Sequence, residues 1–336
     1  MRAARHCLSG QIAGHALGPL AEFGREAERG VQERLTAAID LGAVQGLRDH
    51  TVDPAQRARL VSETGPGAAA WLSTAPLFQA LTIEDECFRT ALRIWLGLPH
   101  PMVAGIALCE CGQSLQGPLG GQHLLRCARG SERNDTHDGI RDMVAGIMRE
   151  SGFSVRMEQY GVVPIREGDV EGRRMDLVGA DPRGGPRVLA DVTVADPLRE
   201  GLIPEAAVER GRAAREAAQA KAVKYGDHPA DDTFIPLAVE TFGCLDSSFD
   251  EFLGTCARRA AELRMGGLDS APMASRLLCY FRQRVSISLQ RSQARAVHHR
   301  AARAIERSVG LGAPVVQDGR VRTADLHTLS RVGLGS

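Results

Sequence analysis

The sequence predicts a mixed α/β fold, and three observations carry that expectation. Apolar residues recur at i, i+3 and i+4 from about residue 31 to 98, give way to short alternating β-branched runs after residue 153, and return to helical spacing near residue 247. Between the first two regimes lies a Gly-rich knuckle, "CECGQSLQGPLGGQHLLRC", and the strand-like runs are interrupted by one Ala/Arg-rich helical stretch.

Taken in order, residues 1–30 show no sustained period and read as a flexible lead-in. A helical segment follows over 31–104, in the pieces "VQERLTAAIDLGAVQGLRD", "PAQRARLVSETG", "GAAAWLSTAPLFQAL" and "IEDECFRTALRIWLGL", each punctuated by Gly, Pro or Asp and closed by "PHPM". The knuckle occupies 105–131. Over 132–245 the predicted order is a helix ("THDGIRDMVAGIMRESG"), three strands ("FSVRMEQY", "RRMDLVGA", "PRVLADVTVA"), a long helix ("IPEAAVERGRAAREAAQAKAVKY") and a strand ("TFIPLAVETF"). Arg-rich helices fill 246–308, and 309–336 reads as a flexible tail.

Composition narrows the function classes. At 336 residues and 43% hydrophobic content the chain can bury a sizeable core without covalent staples. No apolar run approaches the roughly 20 residues of a membrane span, and the first residues are too interrupted by His and Gly for a secretory signal. Lys plus Arg and Asp plus Glu number 41 each, so any polyanion must be held by local patches rather than bulk charge. One such patch is expected in the last helices, where eleven arginines from Arg258 to Arg307 stand against Glu262, Asp269 and Glu306; Arg282, Arg284, Arg291 and Arg295 are the candidate phosphate contacts.

Eight cysteines are too sparse for a disulfide framework. Cys109, Cys111, His123 and Cys127 instead form a complete tetrahedral donor set for zinc, which with four protein ligands would be structural. The Cys-x-Cys spacing is tighter than the usual Cys-x2-Cys, so four unrelated loop residues are the competing reading, and His137 is a further candidate ligand. Cys7, Cys87, Cys244, Cys256 and Cys279 read as buried apolar filler.

The connection "DPRGGP" predicts an antiparallel hairpin whose midpoint falls between Arg183 and Gly184. Asp176 and Asp191 are equidistant from that midpoint and should oppose each other with Cβ atoms about 5 Å apart. Two opposed carboxylates need a cation between them, and Mg²⁺ or Mn²⁺ held by both is the natural one, at a sheet surface shared with Thr193. A register slip would leave them as separate, solvated strand-end aspartates. Glu158 could join as a third carboxylate or remain a solvated strand end. Lys221 and Lys224, the only lysines in the chain, lie three apart on the helix that follows, and a compact ammonium can orient water or neutralise a developing phosphorane. The alternative for them is a solvated, dipole-favoured helix end.

Taken together, "RRMD", "DVTVADPL" and "KAVKY" resemble the PD-(D/E)XK nuclease signature in the variant whose lysine has moved to the following helix. With "CECG...GQHLLRC", "RNDTHDGIRD", "FIPLAVETFG" and "RVSISLQRSQAR", the stretch from about residue 55 to 300 resembles the zinc knuckle and restriction-like endonuclease that follow the reverse transcriptase of site-specific non-LTR retrotransposons. That resemblance implies a PD-(D/E)XK-like core, zinc on Cys109, Cys111, His123 and Cys127, a catalytic divalent metal on Asp176 and Asp191, and a catalytic lysine at Lys221 or Lys224. It also implies nicking of target DNA, the element's RNA as a further partner and residence in the nucleus. Two departures stand out: the chain has no polymerase aspartate motif, and Thr193 occupies the usual lysine position. The alternative reading is a decayed, zinc-containing nucleic-acid-binding module.

Overall fold

The computed structural model describes residues 31–116, 120–165, 172–266, 269–310, 315–317 and 320–322. The lead-in and most of the tail therefore lie outside the described residues, although the described part of the tail is a small hairpin, Val315–Gln317 paired with Arg320–Arg322.

Helix α1 (Val31–His50) precedes α2 (Pro54–Glu63), which starts where Asp53 accepts from the Ala55 amide at 3.1 Å and Pro54 presets the first turn. The third expected helix is absent. "GAAAWLSTAPLFQAL" forms only the 3₁₀ turns Ala68–Ser73 and Gln79–Leu81, because Pro76 interrupts any α-helical ladder between them. Helix α3 (Asp85–Trp95) then leads through a 3₁₀ turn at Pro101–Val103 to the knuckle, which contains the short helix α4 (Gly120–Arg126).

Helix α5 (Glu132–Glu150) opens the central unit, with Glu132 and Asp135 in its first turn and Arg149 in its last, both favourable to the helix dipole. Strands β1 (Ser154–Gln159), β2 (Met175–Ala180), β3 (Val188–Ala195) and β4 (Thr233–Glu240) form one open sheet in chain order, antiparallel except for the parallel pair β3–β4. A parallel pair needs a crossover, and the Ala/Arg stretch supplies it. That stretch is not one helix but two, α6 (Ile203–Ala206) and α7 (Arg212–Lys224), separated at Gly211, whose φ of +71° is left-handed. Buried Glu240 at the end of β4 accepts from the Ala213 amide at 2.8 Å and so fixes where α7 begins.

One face of the sheet packs Leu177, Ala190, Val192, Leu237 and Val239 against α5, α8 (Ser247–Met265) and α9 (Ala271–Gly310), with Phe249, Phe252, Phe281 and Leu289 filling the space. The other face is covered by α7, whose Ala214 and Ala218 lie close on Ala238 of β4, and by Tyr225 and Val163, which pack with Val178 and Leu189. The fold is thus mixed α/β with helices on both faces of a four-stranded open sheet. Among the described residues, no helix is long and apolar enough to cross a membrane.

Helix α3 is fastened to α9 through Thr90, whose Oγ1 lies 3.0 Å from His100 Nε2 and 2.7 Å from His298 Nε2. Burial, followed by the neighbouring His298 and Arg93 charges, pushes His100 from 6.5 down to about 4. The fold therefore prefers neutral His100, and as pH falls from about 6.5 to about 4 the unfolded chain takes up a proton that the folded chain refuses. Denaturant titrations across that window should show a loss of up to about 3 kcal/mol assignable to this site. His100→Gln should remove that part of the slope; an identical slope in parent and variant would contradict the assignment.

Candidate active site and metal-binding knuckle

The β2–β3 turn places Gly184 and Gly185 at φ of +94° and +112°, conformations that side chains with a Cβ rarely adopt. The strands then run Gly179 opposite Val188, Val178 opposite Leu189 and Leu177 opposite Ala190. The ladder stops there, and Asp176 and Asp191 are the next residues on the two strands. Asp176 Oδ2 accepts from the Val192 amide at 2.8 Å, so its side chain stitches the two strands together where the ladder ends.

Contrary to the expectation of an open sheet surface, both carboxylates are buried, at 4% and 3% exposure, because α7 and Tyr225 close over that face. Each has a cationic or protic partner. Lys221 Nζ forms an ion pair with Asp191 Oδ2, and Tyr225 Oη donates to Asp191 Oδ1 at 2.7 Å. His137, in the first two turns of α5, sets Nε2 2.9 Å from Asp176 Oδ2 and Nδ1 2.9 Å from Asp138 Oδ1. Burial opposes protonation of His137, but the bonds to Asp176 and Asp138 outweigh it and raise its pKa. Burial likewise opposes ionisation of Asp176, yet His137, the Val192 amide and Lys221 together lower its pKa. Burial and the adjacent Asp191 charge raise Tyr225 well above a normal phenol, so it stays a donor.

Lysine 221 is therefore the one that faces the aspartates. Lys224 is exposed, with Nζ 4.9 Å from the centroid of the Tyr225 ring. Glu158 does not join the carboxylates: at a φ of +52° its side chain turns to Arg141 and lies 3.5 Å from Arg174. Thr193 shares the Asp191 side of β3 as expected, and its buried Oγ1 has no hydrogen-bond partner.

The knuckle brings its four donors together. All four ligand atoms of Cys109, Cys111, His123 and Cys127 lie within 4.8 Å of one another, with Cys109 Sγ 3.6 Å from Cys127 Sγ and Cys111 Sγ 3.2 Å from His123 Nε2. Tetrahedral zinc with bonds of about 2.0–2.3 Å places its donors roughly 3.5–3.8 Å apart, so this cluster can hold a zinc ion. The short Cys-x-Cys spacing works because Cys109 to Gly112 is a tight turn: the Gly112 amide donates back to the Cys109 carbonyl at 2.9 Å, with Gly112 at a φ of +90°. Burial, with Cys127 adding to it, pushes the Cys109 thiol up to about 12, so a cation is what would keep this sulfur a thiolate. His137 is not a member; it serves Asp176 instead.

Each of the four candidate arginines has a partner within the protein, and Arg284, Arg291 and Arg295 also line one cavity of about 530 Å³ together with His299. Arg282 makes a two-pronged pair with Asp250 at 2.7 and 2.6 Å, Arg284 is buried beside Glu150, Arg295 pairs with Glu84, and Arg291 reaches the Gln79 and Thr82 carbonyls at 3.4 Å. Arg300, 2% exposed, donates to the Leu124 and Cys127 carbonyls at 2.6 and 2.9 Å and clamps the knuckle to α9. Their acids come from α3, α5, α8 and the knuckle, which a local charge tally cannot see. Cys87, Cys244 and Cys256 are buried as expected, whereas Cys279 is exposed and Cys7 lies outside the described residues.

A cleft of about 1000 Å³ connects the two centres: Cys111 and His123 line one part of it, and His137, Asp176, Asp191 and Lys221 another. The chain matches no family model and no curated protein.

Proposed function

We propose that the protein is a divalent-metal-dependent DNA endonuclease with a PD-(D/E)XK-like core, of the kind that follows a zinc knuckle in non-LTR retrotransposon reading frames. The observation that carries this reading is the buried pair Asp176 and Asp191, on neighbouring strands at the end of the β2–β3 ladder, with Lys221 of α7 paired to Asp191. An ion pair alone would not call for a second carboxylate, a histidine and an unpartnered hydroxyl facing one cleft.

The oxygen donors present suit a hard cation: two carboxylates and the partnerless Thr193 Oγ1. Asp176 and Asp191 would hold Mg²⁺ or Mn²⁺, which when bound supplies charge neutralisation at the scissile phosphate and a more acidic water. Lys221, anchored on Asp191, is placed to orient an attacking water and to stabilise negative charge growing on phosphorus. Tyr225 fixes the Asp191 carboxylate through its hydroxyl proton, and His137 does the same for Asp176 from α5. Burial of these groups excludes bulk water and strengthens each electrostatic contact. By the resemblance, the target is nuclear DNA and the element's RNA is a second partner.

The test is nicking of supercoiled plasmid with Mg²⁺ or Mn²⁺. The parent should yield open circles and Asp191→Ala should yield none above background. Equal nicking by both proteins, or none by a folded parent that still retards DNA, would overturn the enzyme reading and favour a binding module.

A further inference from the structure

Cations able to grip a nucleic-acid backbone also line the cleft between the two centres. Its acids Asp196 and Glu216 already face Arg126 and Arg199, at 3.4 and 2.5 Å, which leaves Glu200 as the remaining acid beyond the carboxylate pair. Three exposed cations line the same cleft outside those pairs. Arg133, at the start of α5, donates only to the Arg126 carbonyl in the bonds seen here, with Nε at 3.1 Å. Arg174, two residues before Asp176, has Glu158 no nearer than 3.5 Å. Lys224 rests on the Tyr225 ring. They come from three separate elements, and the cleft they line runs from the cysteine–histidine cluster to the carboxylates at a volume of about 1000 Å³, the upper end for a small-molecule pocket.

We propose that this cleft is a DNA-strand groove in which Arg133, Arg174 and Lys224 hold backbone phosphates, so that the knuckle is one wall of the substrate site rather than a separate module. The choice of DNA rests on the endonuclease reading; the groove itself rests on the three cations. Arginine suits two-pronged contact with a phosphate, and Lys224, one helical turn beyond the lysine paired to Asp191, would seat the phosphate next to the one attacked. Because these are backbone contacts, each should contribute to salt dependence and not to sequence preference.

The experiment measures binding without cleavage: fluorescence anisotropy of a labelled DNA oligonucleotide in a salt series, with no added divalent ion, for the zinc-replete parent, Arg133→Gln, Lys224→Gln, the double variant and Arg89→Gln as an exposed control on α3. Each cleft variant should weaken binding at every salt concentration and reduce the slope of log K against log salt by about 1, the double variant by about 2, with Arg89→Gln unchanged. Cleft variants that track Arg89→Gln, or RNA of the same sequence outcompeting DNA, would overturn the proposal. A parent that binds DNA through these cations but does not nick it would leave the groove standing and sink the enzyme reading, so failure of nicking and failure of the groove are separable results.

Discussion

Lys221→Arg is expected to lower the single-turnover nicking rate by at least about a hundredfold while leaving the circular dichroism spectrum and the melting transition close to those of the parent. Apart from Lys224, the chain uses arginine wherever it places a permanently charged basic side chain, so charge alone is not what this position demands. Lys221 is partly exposed and reaches a 3% exposed carboxylate in a space bounded by the Tyr225 ring, and its Nζ is a small donor that can pair with Asp191 and still face a water. A guanidinium would satisfy Asp191 with a flat two-pronged contact and fill the space where water must sit. Lys224→Arg keeps the charge that the groove uses and should cost less than about tenfold. Equal rates for Lys221→Arg and the parent would remove Lys221 from the reaction.

The largest effect on the fold is expected from the zinc cluster. One zinc per chain should be found by elemental analysis, and Cys127→Ser or prolonged chelation should destabilise the protein by about 3 kcal/mol or more. The size follows from what the cluster holds in place. Leu115, Leu124, Ile106 and Cys127 are packed with Val297 and Ala301 of α9, and the carbonyls of Leu124 and Cys127 are the partners of a fully buried Arg300. When the knuckle opens, that guanidinium loses its acceptors in an apolar surround, a penalty beyond the lost packing. Cys111→Ser should be milder than Cys127→Ser, since Cys111 is exposed and Cys127 is buried. A metal-free protein that melts with the parent would refute a structural zinc.

What could be read from the sequence was what lies close along the chain or follows from turn symmetry. "DPRGGP" set a hairpin register that runs as far as Leu177 and Ala190, the neighbours of Asp176 and Asp191; the knuckle's donors lie within one short loop; and the two lysines stood out from an arginine background. What was not legible depends on distant pairing. His137 meets Asp176 across 39 residues, and no local rule separates a histidine bound for a carboxylate from one bound for zinc. The adjacent His137 and Asp138 of "THD" near a helix start were the available signal. Glu158, for which the sequence left two places open, turns toward Arg141 on a left-handed backbone, and the acids that meet the helical arginines, Asp250, Glu84 and Glu132, come from other elements. The Ala/Arg stretch is interrupted over residues 207–211, and left-handed Gly211 leads into its second helix.

The last helix of the core, α9, is the one on which α3, α5, α8 and the knuckle all lean. During synthesis, then, the carboxylate hairpin and the metal cluster emerge well before the surface that completes their surroundings. The residues of the candidate active site would sit on an incompletely packed sheet until some 40 further residues arrive as α9 and close the apolar core on its other face. Folding dominated by such sequence-distant contacts is slow, and competence would appear late and all at once rather than by stages.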